Sequence, residues 1–162
     1  ARNYWDELGR GAARGMHGPM LAQLARSLEL ETIDAPIVWE ARALANLLVG
    51  LAANRCYAFK AIGALGVIEL TAPGRSELVN VGLRRCGVTA RARQYYALHA
   101  TLDIKHSAAW NREILWSLVE DRPEVAPYLA EGALARLAAG QRCFERYRKE
   151  LGLTGAAIDR AA

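Results

Sequence analysis

Histidine and cysteine are both scarce here, at three residues each, and what is missing narrows the chain's chemistry before any motif is read. The cysteines, Cys56, Cys86 and Cys143, are odd in number, far apart and without a C-x-x-C pair. That argues against a disulfide framework and fits reduced thiols in a cytoplasmic protein. Charge of one sign is also lacking. The net charge is only +4, and bases alternate with acids, as in Arg142, Glu145, Arg146, Arg148, Lys149 and Glu150. No basic strip interleaved with aromatics is present, so no nucleic-acid partner is expected. The most apolar run, Ala43 to Ala53, contains Asn46 and is too short to span a bilayer, and no signal peptide is visible. Alternating polar and apolar residues are missing as well, and with them any reading of strands or internal repeats.

What is present is apolar content for a core. With 162 residues and 52% hydrophobic side chains, the chain suffices for a single domain over residues 1–162. RNYWDELG at the start reads as the last turns of a helix stopped by Gly9, with Tyr4, Trp5 and Leu8 on its apolar side. The opening without methionine adds the expectation of a missing N-terminal segment. Gly9 to Gly15, GRGAARG, is a glycine-rich connection. It has neither the strand-then-helix setting nor the lysine of a phosphate loop.

Met16 to Leu30 has helical periodicity through Met20, Leu21, Leu24 and Leu28, and a polar turn follows over residues 31–36. A second long helix is expected from Ile37 to Asn54. Tyr57 to Thr71 is also strongly apolar, and its small residues Ala61, Gly63, Ala64 and Gly66 point to a tightly packed helix. Pro73 is expected to restart a separate helix that Gly87 ends after Cys86. Thr89 caps a helix running to Glu120, and a last helix spans Glu124 to Leu151, with a bend expected near Pro127 or Gly140. Residues 152–162 read as a frayed tail. The fold class is all-α.

Two of the three histidines lie in YYALHATLDIKHSAAW, Tyr95 to Trp110. His99, Asp103 and His106 stand at i, i+4 and i+7, within a wedge of about 60° on one helix face. Neutral nitrogen donors with an anionic oxygen suit a first-row transition metal such as iron. The bland alternative is a histidine pair on a half-buried helix with Asp103 as its hydrogen-bond partner. Glu69 adds a second piece, as the only charged residue between Lys60 and Arg75 in an apolar helix. A buried carboxylate needs a cation or a network, and a salt bridge to Arg55 or Arg84 would also serve. His17 alone reads as a surface or capping residue, and Glu7 alone as a surface acid. Together, Glu7, His17, Glu69, His99, Asp103 and His106 give three carboxylates and three imidazoles, the supply that helical bundles use for two irons.

The run YWDELGRG…MHGPMLAQLARSLEL, then AIGALGVIEL, GLRRCGV and YYALHATLDIKHSAAW resembles the haem-oxygenase-like diiron oxidases and oxygenases. Members are also described simply as iron-containing redox enzymes. The resemblance runs from about Tyr4 to Leu151, and H-x3-D-x2-H with the upstream glutamate is its most specific part. It implies a haem-oxygenase-like bundle of about seven helices without haem. It assigns the metal ligands to Glu7, His17, Glu69, His99, Asp103 and His106. The family supplies a further glutamate from a first core helix upstream of the D-E-x-G segment, and this sequence begins after that point.

The resemblance further implies a non-haem, O2-dependent oxidoreductase with two Fe(II) per chain. Family chemistries include N-oxygenation of amines or guanidines and oxidative carbon–carbon cleavage. The expected partners are a small-molecule substrate, amino-acid-like in one reading, and a second copy of the chain in a homodimer. No catalytic residue is expected beyond the metal ligands. Three alternatives stay open: a mononuclear iron oxygenase, a haem-binding or cofactor-independent member of the same fold, and a metal-free helical ligand-binding or structural module. Arg84, Arg85, Arg91 and Arg93 offer charge for a substrate carboxylate, although such a cluster reads equally as a solvated loop. Tyr96 and Trp110 are candidates for a cavity border, although aromatics at helical spacing usually pack in a core.

Overall fold

The computed structural model describes residues 2–30 and 36–153, and all but Pro36 of the expected turn at 31–36 and most of the expected tail, from 154 on, lie outside them. Among the described residues all regular structure is helical apart from one isolated bridge, as the missing alternation required. The helices are α1 (Arg2–Glu7), α2 (His17–Ser27), α3 (Trp39–Ala53), α4 (Ala58–Arg85), α5 (Gln94–Trp110), α6 (Ser117–Asp121) and α7 (Ala126–Glu150). None of them is long and apolar enough to cross a membrane.

Three differences from the sequence reading have physical causes. Pro73 lies inside α4 and does not divide it. Proline's fixed φ is compatible with a helix, and its cost is one lost hydrogen bond and crowding at the carbonyl four residues back. That carbonyl belongs to Glu69. Second, Asn111–Trp116 forms a π-helical turn between α5 and α6, so the rod from 94 to 121 is continuous but locally widened. The expected C-terminal extent holds, but the helix begins at Gln94 with Arg93 at its N-cap, because Thr89 Oγ1 accepts from Ala92 N in a separate turn that precedes it. Third, Tyr4 and Trp5 are solvent-exposed, at 70% and 52%, so α1 does not turn its aromatic side inward.

The chain divides into two compact units. One comprises Ala1–Ala35 and Ile68–Ile114, and it holds α1, α2, the C-terminal part of α4 and α5. Met20 and Leu24 of α2 are buried in it, from the stripe that predicted the helix. The other comprises Pro36–Val67 and Leu115–Ala162, where α3 packs along α7. Its closest helix approach uses two glycines reciprocally. A Cβ on Gly63 of α4 would overlap the Leu129 carbonyl, and one on Gly132 of α7 would overlap that of Lys60. The tight packing expected around Gly63 is present, and Gly140 leaves α7 unbroken.

Candidate metal centre

The first unit gathers the polar residues that the sequence singled out. On α1, Asn3, Asp6 and Glu7 stand at i, i+3 and i+4 and share a face. This face is the one turned inward. Asn3 Nδ2 donates to Glu69 Oε1 at 2.6 Å. Asp6 Oδ2 lies 3.0 Å from His106 Nε2, and Glu7 Oε2 lies 2.9 Å from His17 Nδ1. The aromatics of α1 are exposed because its polar side is occupied.

Glu7 and His17 come together through the glycine-rich connection. Gly9, Arg10 and Gly11 have φ of +63°, +55° and +83°, a left-handed run that turns the chain sharply. Leu8 and Met16 pair in an isolated antiparallel bridge. Gly9 lies against Gly15, and a Cβ on Gly9 would stand 2.5 Å from Met16 N. The seven-residue glycine-rich segment is thus a closed loop that sets α1 and α2 side by side.

On α5, His99, Asp103 and His106 are all buried, as their shared helix face predicted. With the residues from α1, α2 and α4 they form two groups. Glu7, His17 and His99 each present one ligand atom, all within 4.8 Å of one another, and so do Glu69, Asp103 and His106. The first group has two imidazoles and one carboxylate, the second one imidazole and two carboxylates. The structure therefore brings together all six residues, as two adjacent triads along α5.

The ring nitrogens are arranged for ligation. His99 Nδ1 lies 2.7 Å from the backbone oxygen of Tyr95, so its N–H donates there and Nε2 faces Glu7 Oε1 at 3.8 Å. His106 is reversed: Nε2 faces Asp6, while Nδ1 lies 3.2 Å from Asp103 Oδ1 and 3.7 Å from Glu69 Oε2. A histidine with one nitrogen committed to a carbonyl or carboxylate and the other left open is the usual state of a metal ligand. His106 Nδ1 and His17 Nδ1 are both buried, each close to a carboxylate oxygen, at 3.2 Å and 2.9 Å, but without hydrogen-bond geometry to it. Orphaned buried nitrogens of this kind call for a partner, and a cation flanked by carboxylates supplies one.

The charges point the same way. Burial pushes the Glu69 carboxyl above its ordinary range; the Asn3 hydrogen bond opposes this and the neighbouring Asp103 adds to it. Burial likewise raises Asp103, against the pull of His99 and His106. Two carboxylates crowded together and short of positive charge are what a dication would relieve. In the first triad, the neighbouring imidazoles of His99 and His17 hold Glu7 below its usual value despite partial burial. Burial disfavours the charged form of His99, yet Glu7 and the Tyr95 carbonyl outweigh it and its pKa is raised. The donor set and its open positions fit iron.

The sequence profile of a family described as iron-containing redox enzyme matches residues 1–141. The chain belongs to that family. No curated protein and no solved structure gives a significant match. An iron-containing redox enzyme with an all-α, haem-oxygenase-like fold is what the resemblance in the sequence implied.

Two residues of this family member's site escaped the sequence reading. Asp6 was hidden in the D-E pair beside Glu7, although it is only 5% exposed, and Asn3 takes the place given to Arg55 or Arg84 as the partner of Glu69. The i, i+3, i+4 spacing of Asn3, Asp6 and Glu7 was the available signal. Beside the second triad, a cavity of about 530 Å³ is lined by Trp5, Asp6, Arg10, Lys105, His106 and Trp110, among others. Trp110 borders it as one of the two candidates for that position, and Tyr96 is absent from the lining. Tyr96 instead packs edge-on to Tyr95, whose ring lies 4.1 Å from that of His99. Arg93, one of the arginines weighed for a substrate carboxylate, is used structurally, donating to Val88 O and to Asn80 Oδ1.

Proposed function

We propose that this family member is a non-haem diiron oxidase or oxygenase, using O2 to oxidise a small molecule held in the cavity beside His106. The observation that carries the reading is the pair of triads on one face of α5. Glu7, His17 and His99 would hold one iron, and Glu69, Asp103 and His106 the other. Two bound Fe(II) ions would supply the electrons and open coordination positions for O2 reduction.

The chain's own part is positioning and exclusion of water. The Tyr95 carbonyl and Asp6 fix His99 and His106 in opposite ring orientations, and Asn3 anchors Glu69 by one oxygen while leaving the other directed at the site. The second triad is buried, whereas Glu7 is 43% exposed and gives the first triad contact with solvent. In the cavity, the indole N–H of Trp110 is buried without a partner and Lys105 adds a cation, so the wall offers donors to a substrate's acceptor group. An amino acid, whose carboxylate would accept from these donors while it undergoes N-oxygenation or oxidative carbon–carbon cleavage, is a substrate of this kind. A mononuclear enzyme would need only the first triad. Glu69 and Asp103 would then remain buried together with only the His106 imidazole to offset two carboxylates, which favours two irons.

The test is O2 uptake by the chain loaded anaerobically with Fe(II). Consumption that scales with bound iron and stops when a chelator strips the chain supports the reading. An iron-loaded chain that consumes O2 no faster than the same iron in buffer contradicts it.

A further inference from the structure

We infer that Asp6 is a positioning residue, holding His106 so that Nδ1 is the ring nitrogen open to metal in the second triad. The inference rests on the metal-binding reading above and adds a residue to it. Asp6 lies in the last turn of α1, one position before Glu7, and its carboxylate is 5% exposed. It makes two specific contacts: Oδ2 with His106 Nε2 at 3.0 Å and Oδ1 with Arg10 Nε at 2.6 Å. The contact with Asp6 has hydrogen-bond geometry and holds the proton on Nε2, whereas Asp103, 3.2 Å from Nδ1, lacks that geometry and leaves the Nδ1 lone pair for a metal. Nδ1 is the buried nitrogen without a hydrogen bond, facing Asp103 and Glu69.

The contact with Arg10 shows that the arrangement is built in. Arg10 is a non-glycine residue at φ +55°, between two glycines in the same left-handed region, a conformation that L side chains disfavour. Its side chain is 69% exposed, so burial of the arginine does not account for this conformation. The closed loop, with Leu8 bridged to Met16 and Gly9 against Gly15, sets this turn, and within it the guanidinium reaches Asp6. The left-handed turn directs Arg10 to Asp6, Arg10 fixes one carboxylate oxygen, and the other fixes His106. Asp6 also lines the cavity, so a bound molecule would meet this carboxylate next to the ring it orients. Glu7 serves the first triad directly, so neighbouring residues of one short helix support different triads in different ways.

The experiment uses Co(II) as the probe, with ions counted per chain and affinities measured at both sites, and long-range 15N–1H correlation of the metal-free chain to read the His106 tautomer. The parent chain should bind two Co(II) and show His106 protonated at Nε2. Asp6→Ala should lower affinity at one site by roughly 10- to 100-fold, leave the other unchanged and lose the single Nε2–H tautomer. Asp6→Asn, which keeps a neutral acceptor, should fall between. The unchanged site reports that the variant is folded. Full affinity at both sites in Asp6→Ala, or an unaltered His106 tautomer, overturns the role of Asp6 while the metal reading stands. A parent chain that binds no Co(II) overturns both, and is told apart without any variant.

Discussion

Gly9 packs backbone to backbone on Gly15, and that contact closes the loop placing Glu7 beside His17. Gly9 combines a left-handed φ with an approach that leaves no room for a side chain. Gly9→Ala is therefore expected to destabilise the fold by on the order of 1–3 kcal/mol. It should also separate the first triad's ligands. Metal counting should show one tight site lost and the second triad retained; two unaltered sites would show that the loop does not set the centre.

The two triads are expected to respond separately to loss of a histidine. His99→Ala removes a ligand only from the first and His106→Ala only from the second, so each variant should retain one metal per chain by elemental analysis. A variant that retains two would remove its histidine from the ligand set.

Removal of metal should cost stability. Metal that binds only the folded chain adds about 2.7 kcal/mol when free metal stands at 100 times Kd. Thermal unfolding with and without chelator measures this. Identical melting curves would mean that the polar cluster is satisfied without an ion.

Glu69→Gln should stabilise the metal-free chain while weakening metal binding, because it removes a buried negative charge and keeps the shape. The sign of the pH dependence follows from the raised folded pKa. Above that value, ionised Glu69 destabilises the fold; as pH falls through it, protonation relieves the cost. Below the ordinary value of 4.5 the residue is neutral folded or unfolded, and variant and parent should converge. Denaturant titrations at pH 4 and 7 measure the two gaps, and equal gaps would contradict the account.

The other unit offers a contrast. Gly63→Ala must push α4 and α7 apart at Leu129, at a cost of about 1–3 kcal/mol. The metal count should not change.

Much of this was legible in the sequence because helical periodicity is local. His99, Asp103 and His106 share a face by spacing alone, and an isolated Glu69 in an apolar stretch announces a buried charge. Helix α1 was read with the wrong side inward because hydrophobicity usually decides which face is buried. Here Asn3, Asp6 and Glu7 are drawn in by partners up to 100 positions away, and Tyr4 and Trp5 remain in solvent. Asp6 went unrecognised for the same reason: nothing near it in sequence reveals His106. Pro73 reads as a boundary in the sequence because a lost hydrogen bond usually ends a helix, but a single break is carried within the long α4.

The central claim is two irons in two triads. Anaerobic Fe(II) titration of the purified chain, with iron counted per chain, tests it most directly. The account predicts saturation at two irons, falling to one in His99→Ala and one in His106→Ala. Saturation at one iron, or no stoichiometric binding, would contradict it.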